Sequence, residues 1–381
     1  YSGGDPNVWL SNNFSNNNVA QFGTRGRRYC YTPRLDRAVI DCGGVQRSLF
    51  DADVEYVQIY GPNAGGAAIG PGYGVQSELV ADVASGTGDN FELNYLDPNF
   101  KLPKEWKFNI GVNHTFPGDY MVAADLLFTR GFDSPMIKRG DLVQTGTNAD
   151  GYPVYSSPPL DSFVLTNSDE GNRSRVFSVS LAKYIGDSFY YRLGYSNTDA
   201  EDVQPMTSAV AFSNYNNRAF FDPNEDVLST SNYQIEHRFV ATARWTRDIG
   251  PTTLTVSLYG SANSGRPFSY AVLGNDVYNF TPFLDDTLVN VLEPGDKRNE
   301  NTGSWWRKVD ARINLDFPGF GDGHSASAFL VIDNLTNLLN DEWGVLKQHD
   351  FPRSILRGTN ESRIGDASRY EIRFGVQYRF E

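Results

Sequence analysis

The sequence predicts an all-β chain, the carboxy-terminal strands of a transmembrane antiparallel β-barrel. Three observations lead to this fold class. Apolar and polar residues alternate with a period of two in segments of about 9–13 residues, the length that a tilted strand needs to cross a bilayer core. The connections between these segments alternate between tight turns and long excursions. Aromatic residues make up 14% of the 381 residues, which suits many strands.

The alternation defines nine strands from Lys104 onward. Their segments are KEWKFNIGVNHTF, GDYMVAADLLFTR, RVFSVSLAKYI, DSFYYRLGYSNT, HRFVATARWTRDI, TTLTVSLYGSAN, WWRKVDARINLDF, HSASAFLVIDNL and SRYEIRFGVQYRFE. Long excursions separate the hairpins at Gly131–Gly171, Asp199–Asn232, Ser264–Ser304 and Thr336–Ala367. Bacterial single-chain barrels have even strand numbers, and an open edge in lipid leaves backbone groups unpaired. We therefore expect further strands upstream.

The chain divides into two parts on this interpretation. Residues 1–103 form a large extracellular loop region with short hairpins such as VEYVQIYG and YGVQSELVADV, and residues 104–381 form barrel strands with long extracellular loops. This orientation follows if the final strand ends on the periplasmic side. The first residues contain no initiator Met, basic segment or apolar segment, so we expect a piece of a longer chain.

The two faces of each strand differ in a way that predicts their solvents. One face of the closing strand carries only large apolar and aromatic residues, while the polar faces carry Gly, Ser, Thr, Asn and isolated charges. Aromatic residues gather near the strand ends, as in interfacial girdles: Trp106, Phe116, Tyr120, Phe128, Trp245, Trp305, Tyr378 and Phe380. We expect the apolar face to meet lipid and the polar face a wet lumen. A large soluble β-sandwich, with its apolar faces buried against each other, is the alternative.

Charged residues and one glutamine on the polar faces are candidates for the lumen wall. They are Arg238, Arg244, Lys308, Asp310, Arg312, Glu371, Arg373 and Gln377. Cross-strand salt bridges that hold the wall, or that contact a plug, are the interpretation we favour, because most polar ladder pairs are structural. A substrate path is the alternative.

Aromatic residues in the long excursions are candidates for ligand recognition, since exposed rings bury much area at little entropic cost. They are Tyr152, Tyr155, Phe220, Phe221, Tyr270, Tyr278, Phe280 and Phe283. Rings that pack within the turns are an equally good interpretation.

Composition and spacing exclude several other classes. A net charge of −13 argues against a nucleic-acid partner, which calls for a basic face. The Gly-rich stretches lie outside any strand-to-helix junction, so we predict neither a phosphate cradle, a cofactor nor an enzyme. The four His residues lack zinc spacing, and a calcium loop at Asp285 and Asp286, or at Asn148 and Asp150, is a minor alternative.

Cys30 and Cys42 lie close together in a polar, Gly-containing region. They indicate a small disulfide-closed loop in an oxidising compartment, with two unlinked thiols as the alternative.

Three stretches resemble Oar-like TonB-dependent receptors of the bacterial outer membrane. LDPNFKLPKEWKFNIGVNHTFPGDYMVAADLLFTRGFDSP resembles a segment in which a D-P-N-F-K-x-P motif leads into a strand, a Pro-Gly turn and a return strand. SLYGSANSGRPFSYAV resembles a strand followed by S-G-x-P-F-S at the start of an extracellular loop. AFLVIDNLTNLLNDEWG is similar to the penultimate barrel strand. The resemblance covers about two thirds of the chain, from Leu96 to its end.

The resemblance implies a 22-stranded barrel that imports a ligand captured by its extracellular loops, weakly indicated as a peptide or protein-derived molecule. Its partners would be the TonB–ExbB–ExbD system, lipopolysaccharide and outer-membrane lipid. Tyr378 and Phe380 resemble the signal read by the barrel assembly machinery, although Glu381 follows them here. The family's plug and TonB-contacting segment have no counterpart in these residues. A structural or adhesive outer-membrane barrel without import remains the alternative, with a secreted soluble β protein less favoured.

Overall fold

The computed structural model describes residues 93–156, 162–274 and 289–380, and the backbone of five short strands nearer the amino terminus. The early strands are Arg28–Tyr29, Val39–Asp41, Gln46–Ser48, Gln58–Tyr60 and Ala68–Pro71. Gln58–Tyr60 lies within the hairpin predicted at VEYVQIYG and pairs with Ala68–Pro71. The hairpin predicted at YGVQSELVADV, and Cys30 and Cys42, lie outside the described residues.

Nine long strands form one antiparallel sheet in which each strand pairs with the next along the chain. They are β1 (Lys104–Phe116), β2 (Tyr120–Phe132), β3 (Arg173–Ile185), β4 (Phe189–Asp202), β5 (His237–Ile249), β6 (Thr252–Asn263), β7 (Trp306–Pro318), β8 (Ser325–Asp333) and β9 (Glu371–Arg379). The predicted all-β antiparallel architecture and the nine strands are confirmed. β1 and β9 form the two edges, and neither outer edge pairs with another strand in the described part of the chain.

Tight turns join the strands at one end of the sheet. Gly186 and Gly250 have φ angles of 57° and 62°, in the left-handed region that glycine adopts without steric cost. These angles let β3 reverse into β4 and β5 into β6 within a few residues. The long connections all leave from the opposite end, as the sequence predicts.

One face of the sheet is apolar and uncovered. Residues directly opposite each other share a face, and this register aligns Leu193 with Ala241 and Tyr195 with Phe239. In the central strands, Leu193 is 50% exposed and Phe239 is 46% exposed. Among the described residues no second layer packs on this face. A soluble sandwich would bury such a surface, because monomeric soluble proteins rarely expose apolar patches of more than a few hundred Å².

Aromatic rings form two bands on the apolar face. The loop-side band, next to the long connections, contains Trp106, Phe108, Phe128, Phe177, Tyr195, Phe239 and Trp305. Ring centroids in it lie 4.7 Å apart for Tyr195 and Phe239 and 6.2 Å apart for Phe239 and Trp305. The turn-side band contains Phe116, Tyr120, Phe189, Tyr191, Trp245, Phe320, Tyr378 and Phe380.

Short elements lie in the long connections and just ahead of β1. The strands are Leu93–Leu96, Pro135–Arg139, Val143–Thr147, Pro153–Ser156, Ser162–Asn167, Ser229–Thr230, Pro267–Tyr270, Val272–Leu273, Val289–Val291, Asn301–Thr302, Lys347–Gln348, Ser354–Ile355 and Ser362–Arg363. The helices are α1 (Ala211–Asn216) and α2 (Leu335–Leu339), with a 3₁₀ turn at Asp366–Ser368. Leu93–Leu96 pairs in parallel with the start of Ser162–Asn167, which joins residues ahead of β1 to the first long connection.

The buried apolar core lies in these connections and not against the sheet. One cluster contains Ile137, Phe163, Leu165, Ala211 and Tyr215, and the other contains Tyr152, Phe220 and Val291. Each cluster draws residues from more than one connection. We call the described parts of the four connections (133–156, 162–172, 203–236, 264–274, 289–305 and 334–370) the loop assembly.

Candidate functional site

The polar face of the sheet carries all eight lumen-wall candidates. Cross-strand register aligns Arg244 with Ser257, and Ser257 in turn with Arg312. It likewise aligns Arg312 with Val331, and Val331 with Arg373. Since opposite residues share a face, these rows cross the sheet from β5 to β9 on the side away from the aromatic bands.

Six of these eight side chains have partners on the wall itself: five lie on β7 and β9, and the sixth is Arg244 beside Tyr190. Lys308 Nζ lies 3.0 Å from Asp310 Oδ2 on β7. Arg373 forms an ion pair with Asp333 of β8, and its Nε lies 3.6 Å from Glu371 Oε1. The Arg312 guanidinium lies 5.0 Å from the centroid of the Phe329 ring. This geometry agrees with the structural interpretation of the charges.

Arg238, Arg244 and Gln377 are placed differently. Arg244 lies 5.7 Å from the ring centroid of Tyr190. Gln377 lines a shallow depression of about 300 Å³ near the tight turns. Arg238 has no carboxylate within 4.0 Å among the described residues, and it borders a larger depression on the polar face.

This larger depression has a volume of about 440 Å³ and spans β2 to β6. Small side chains form its floor, and longer ones surround it; the lining includes Asp125, Ser178, Ser180, Arg192, Gly194, Ser196, Arg238, Thr242 and Tyr259. Arg192 Nη2 donates to Ser180 Oγ at 3.3 Å. Sequence analysis missed Asp125, Arg192 and Tyr259 here, although each lies on a polar strand face that the alternation predicts.

The aromatic recognition candidates in the long connections are either buried or partly buried where the structure describes them. Tyr152 is 6% exposed and Phe220 is fully buried, so for these two rings the structure agrees with packing within the connections, the second of the two interpretations. They pack because the connections build their own core, to which Tyr155 and Phe221 also contribute. Tyr270 is partly buried under the Arg357 guanidinium, 4.7 Å from its ring centroid. Tyr278, Phe280 and Phe283 lie outside the described residues.

Side-chain amides join separate long connections by pairs of hydrogen bonds. The Ile137 backbone N–H donates to Gln204 Oε1 at 2.8 Å, and Gln204 Nε2 donates to the Ile137 carbonyl at 2.7 Å. Asn224 makes the same two contacts with the Arg139 backbone, each at 2.8 Å. These amides satisfy buried or partly buried backbone groups of one connection with the side chain of another.

Buried ion pairs reinforce the loop assembly. Arg298 Nη2 lies 2.8 Å from Asp202 Oδ1 at the end of β4, and the same nitrogen donates to the Asp202 carbonyl. Arg139 Nη2 lies 2.5 Å from Asp141 Oδ2. Burial would raise the pKa of Asp141, but the hydrogen bonds and charge of Arg139 outweigh it, and this pKa lies below its ordinary value.

Other pKa shifts in the loop assembly follow burial. Burial raises the pKa of Glu225 despite the opposing charge of Arg218, and burial lowers the pKa of Arg218. Burial also raises the pKa of Tyr155, whose hydroxyl donates to Asp222 Oδ1 at 2.6 Å. Arg218 Nη1 lies 3.5 Å from Glu225 Oε1, and Glu225 Oε2 accepts the N–H groups of Phe221 and Asp222, so these groups stabilise the loop assembly.

Tyr378, one of the two predicted assembly-signal residues, caps the turn between β7 and β8. Its hydroxyl accepts a hydrogen bond from the Phe320 backbone N–H at 2.8 Å and lies 2.9 Å from His324 Nδ1. Phe380 lies beside it, with ring centroids 4.7 Å apart. Their role in assembly stays a prediction.

The described ranges contain neither a cluster of metal ligands nor a helix that could span a membrane. No three His, Cys, Asp or Glu side chains there gather as a metal site requires. The calcium candidate Asn148 uses its Oδ1 within a turn, accepting the N–H groups of Asp150 at 3.0 Å and Tyr152 at 2.9 Å. Asp285 and Asp286 lie outside the described residues. No described helix has the length and apolar character of a membrane-spanning helix.

Comparison with known proteins gives one solved structure to report. The chain is similar to the outer membrane transporter YddB from Escherichia coli, with 10% sequence identity and a TM-score of 0.42. The match covers 76% of this chain and 34% of that one, so the chain spans about a third of the transporter's length. No protein-family model matches the sequence, and no curated protein matches it.

Proposed function

We propose that the chain is the carboxy-terminal part of the wall of an Oar-like TonB-dependent outer-membrane transporter. One observation carries the proposal: nine consecutive antiparallel strands expose an apolar face between two aromatic bands and carry charges on the other face. In water, such a face would drive association, whereas in a bilayer it is the solvated surface.

The spacing of the bands agrees with a bilayer. Trp106 and Phe116 are ten residues apart on β1, which is about 34 Å along the strand at about 3.4 Å per residue. A tilt of about 40°, usual for membrane barrels, reduces this to a height of about 26 Å. The apolar band of outer-membrane barrels is about 25 Å tall.

The ligand would be captured by the loop assembly and pass along the polar face. The resemblance points to a peptide or protein-derived ligand. TonB, ExbB and ExbD would supply energy through a plug and a TonB-contacting segment elsewhere in the full-length protein. The loop assembly supports this role because its connections are held together by buried contacts, and a fixed surface loses little entropy on binding.

Cysteine labelling of intact cells tests the orientation. Val227 is 51% exposed in the loop assembly, and Asp187 is exposed in the β3–β4 turn. In the full-length protein, a membrane-impermeant maleimide should label Val227→Cys in intact cells and Asp187→Cys only after lysis. The unsubstituted protein controls for Cys30 and Cys42. Labelling of both variants in intact cells would contradict the proposed topology.

Energy dependence separates import from the structural or adhesive alternative. Cells with and without the full-length protein would be given a mixture of fluorescent peptides, and periplasmic fluorescence would be measured. The proposal expects uptake that requires both the protein and TonB. Surface retention that is unchanged in cells lacking TonB would favour an adhesive barrel.

A further inference from the structure

A groove of about 410 Å³ crosses the apolar face over β6. Ala241, Gly260 and Ala262 form its floor, and Leu193 and Phe239 flank it on the β4 and β5 side. The register aligns Gly260 with Val309 and Ala262 with Arg307 on the β7 side. The groove therefore follows a row of small residues that lies between larger side chains on both sides.

The fold does not require a glycine at position 260, because a side chain there would meet no neighbouring atom at close range. A Cβ atom at Gly260 would have its nearest neighbour at 3.9 Å, an ordinary van der Waals distance. Two glycines elsewhere in the sheet, on β4 and β9, differ: a Cβ at Gly194 would lie 2.9 Å from Val240, and one at Gly375 would lie 2.3 Å from Phe329. Those two glycines make room for a packed side chain, whereas Gly260 leaves open space above the sheet.

Arg307 stands at the loop-side end of the groove. Its side chain is exposed, and its guanidinium lies 5.8 Å from the ring centroid of Trp305 in the loop-side band. In the described part of the chain no carboxylate lies within 4.0 Å of Arg307. Aromatic bands mark the headgroup level of a membrane, and the planar guanidinium matches the geometry of a phosphate.

We infer that the groove holds an acyl chain of a phosphate-bearing lipid of the loop-side leaflet, whose phosphate binds Arg307. The small floor residues accept a methylene chain lying along β6, and the arginine fixes the headgroup among the aromatic rings. Charge complementarity selects this occupant over a neutral lipid. The inference rests on the proposed membrane function, since the groove faces lipid only in an embedded protein.

Native mass spectrometry of the full-length protein tests the site. The detergent-purified protein would be stripped of lipid and offered phosphatidylglycerol, phosphatidylcholine with matched chains, or glycerol phosphate without chains. Arg307→Gln removes the charge, and Gly260→Leu fills the groove at a position with room for a side chain. Arg175→Gln is the matched control, because Arg175 is exposed on the same face opposite Asp199, away from the groove.

The unsubstituted protein and Arg175→Gln should retain one phosphatidylglycerol, in preference to phosphatidylcholine, and should not retain glycerol phosphate. Arg307→Gln should lower phosphatidylglycerol retention about fivefold, the effect of one basic residue near an anionic surface. Gly260→Leu should abolish it. Equal retention by all four proteins, or retention of glycerol phosphate alone, would overturn the inference. A full-length protein that partitions into water and retains no lipid would overturn both the inference and the proposed function.

Discussion

The Cζ atom of Phe329 on β8 lies over Gly375 on β9, 2.3 Å from the point where a Cβ would stand. The two residues are directly opposite in the register, and the same ring lies under the Arg312 guanidinium. Glycine is therefore the residue that lets an aromatic ring lie flat on the polar face between β7 and β9.

Replacing this glycine should displace the ring. Gly375→Ala places a methyl group where Phe329 lies, so the free energy of unfolding should fall by about 1–3 kcal/mol, the usual range for overpacking. Urea titration of the full-length protein in detergent measures this loss. Gly260→Ala is the matched control, since its methyl group meets nothing closer than 3.9 Å, and it should change the free energy of unfolding by less than about 0.5 kcal/mol. Equal effects of the two substitutions would contradict the packing described here.

Loss of Arg298 should loosen the loop assembly. This side chain is 3% exposed and pairs with Asp202, so Arg298→Ala leaves a carboxylate without its partner and should cost about 3–5 kcal/mol. Hydrogen exchange of residues 203–236 measures the loss of protection. Arg357→Gln serves as the control because its ion pairs with Glu293 and Asp296 are exposed, and exchange should change little. Similar exchange in the two variants would contradict the prediction that the buried Arg298–Asp202 ion pair stabilises the loop assembly.

Protonation of Asp141 at acidic pH should destabilise the first long connection. Its pKa lies below the ordinary value when the protein is folded, so the carboxylate contributes stability above about pH 4 that is lost as pH falls through the lowered pKa. Hydrogen exchange in Ser162–Asn167, corrected for intrinsic rate, should therefore rise below about pH 4. Asp141→Asn should show the raised exchange already at pH 7 and a flatter pH profile. An unchanged profile in Asp141→Asn, compared with the exposed control Asp150→Asn, would exclude this role.

Strand alternation predicted much of the sheet. β1, β5 and β6 begin and end at the predicted residues, because period-two patterning and turn glycines both lie in the local sequence. β4 extends beyond the predicted Thr198 to Asp202, where its polar end pairs with β3 and with Ser229–Thr230. β8 stops at Asp333 because Asn334 has a φ angle of 53°, in the left-handed region, and α2 follows.

The loop assembly could not be predicted in the same way. Gln204 and Ile137 are 67 residues apart, and Arg298 and Asp202 are 96 residues apart, without any periodic pattern that connects them. Tyr152 and Phe220 therefore looked like candidates for a surface, whereas tertiary packing buries them. On the polar face, alternation placed Arg312 and Arg373 correctly, but only the strand register identifies Phe329 and Asp333 as their partners.

Two adjacent tryptophans on opposite faces of the sheet test directly whether the apolar face meets lipid and the polar face does not. Trp305 is 41% exposed beside Phe239, whereas Trp306 begins β7 on the polar face and its Nε1–H donates to the Gly344 carbonyl at 3.1 Å. Full-length variants that retain only one of the two, with every other tryptophan replaced by phenylalanine, would be reconstituted into vesicles of phospholipid brominated near the headgroups. If the apolar face meets lipid, Trp305 fluorescence should be strongly quenched and Trp306 fluorescence little quenched. Equal quenching of both, or of neither, would contradict this expectation.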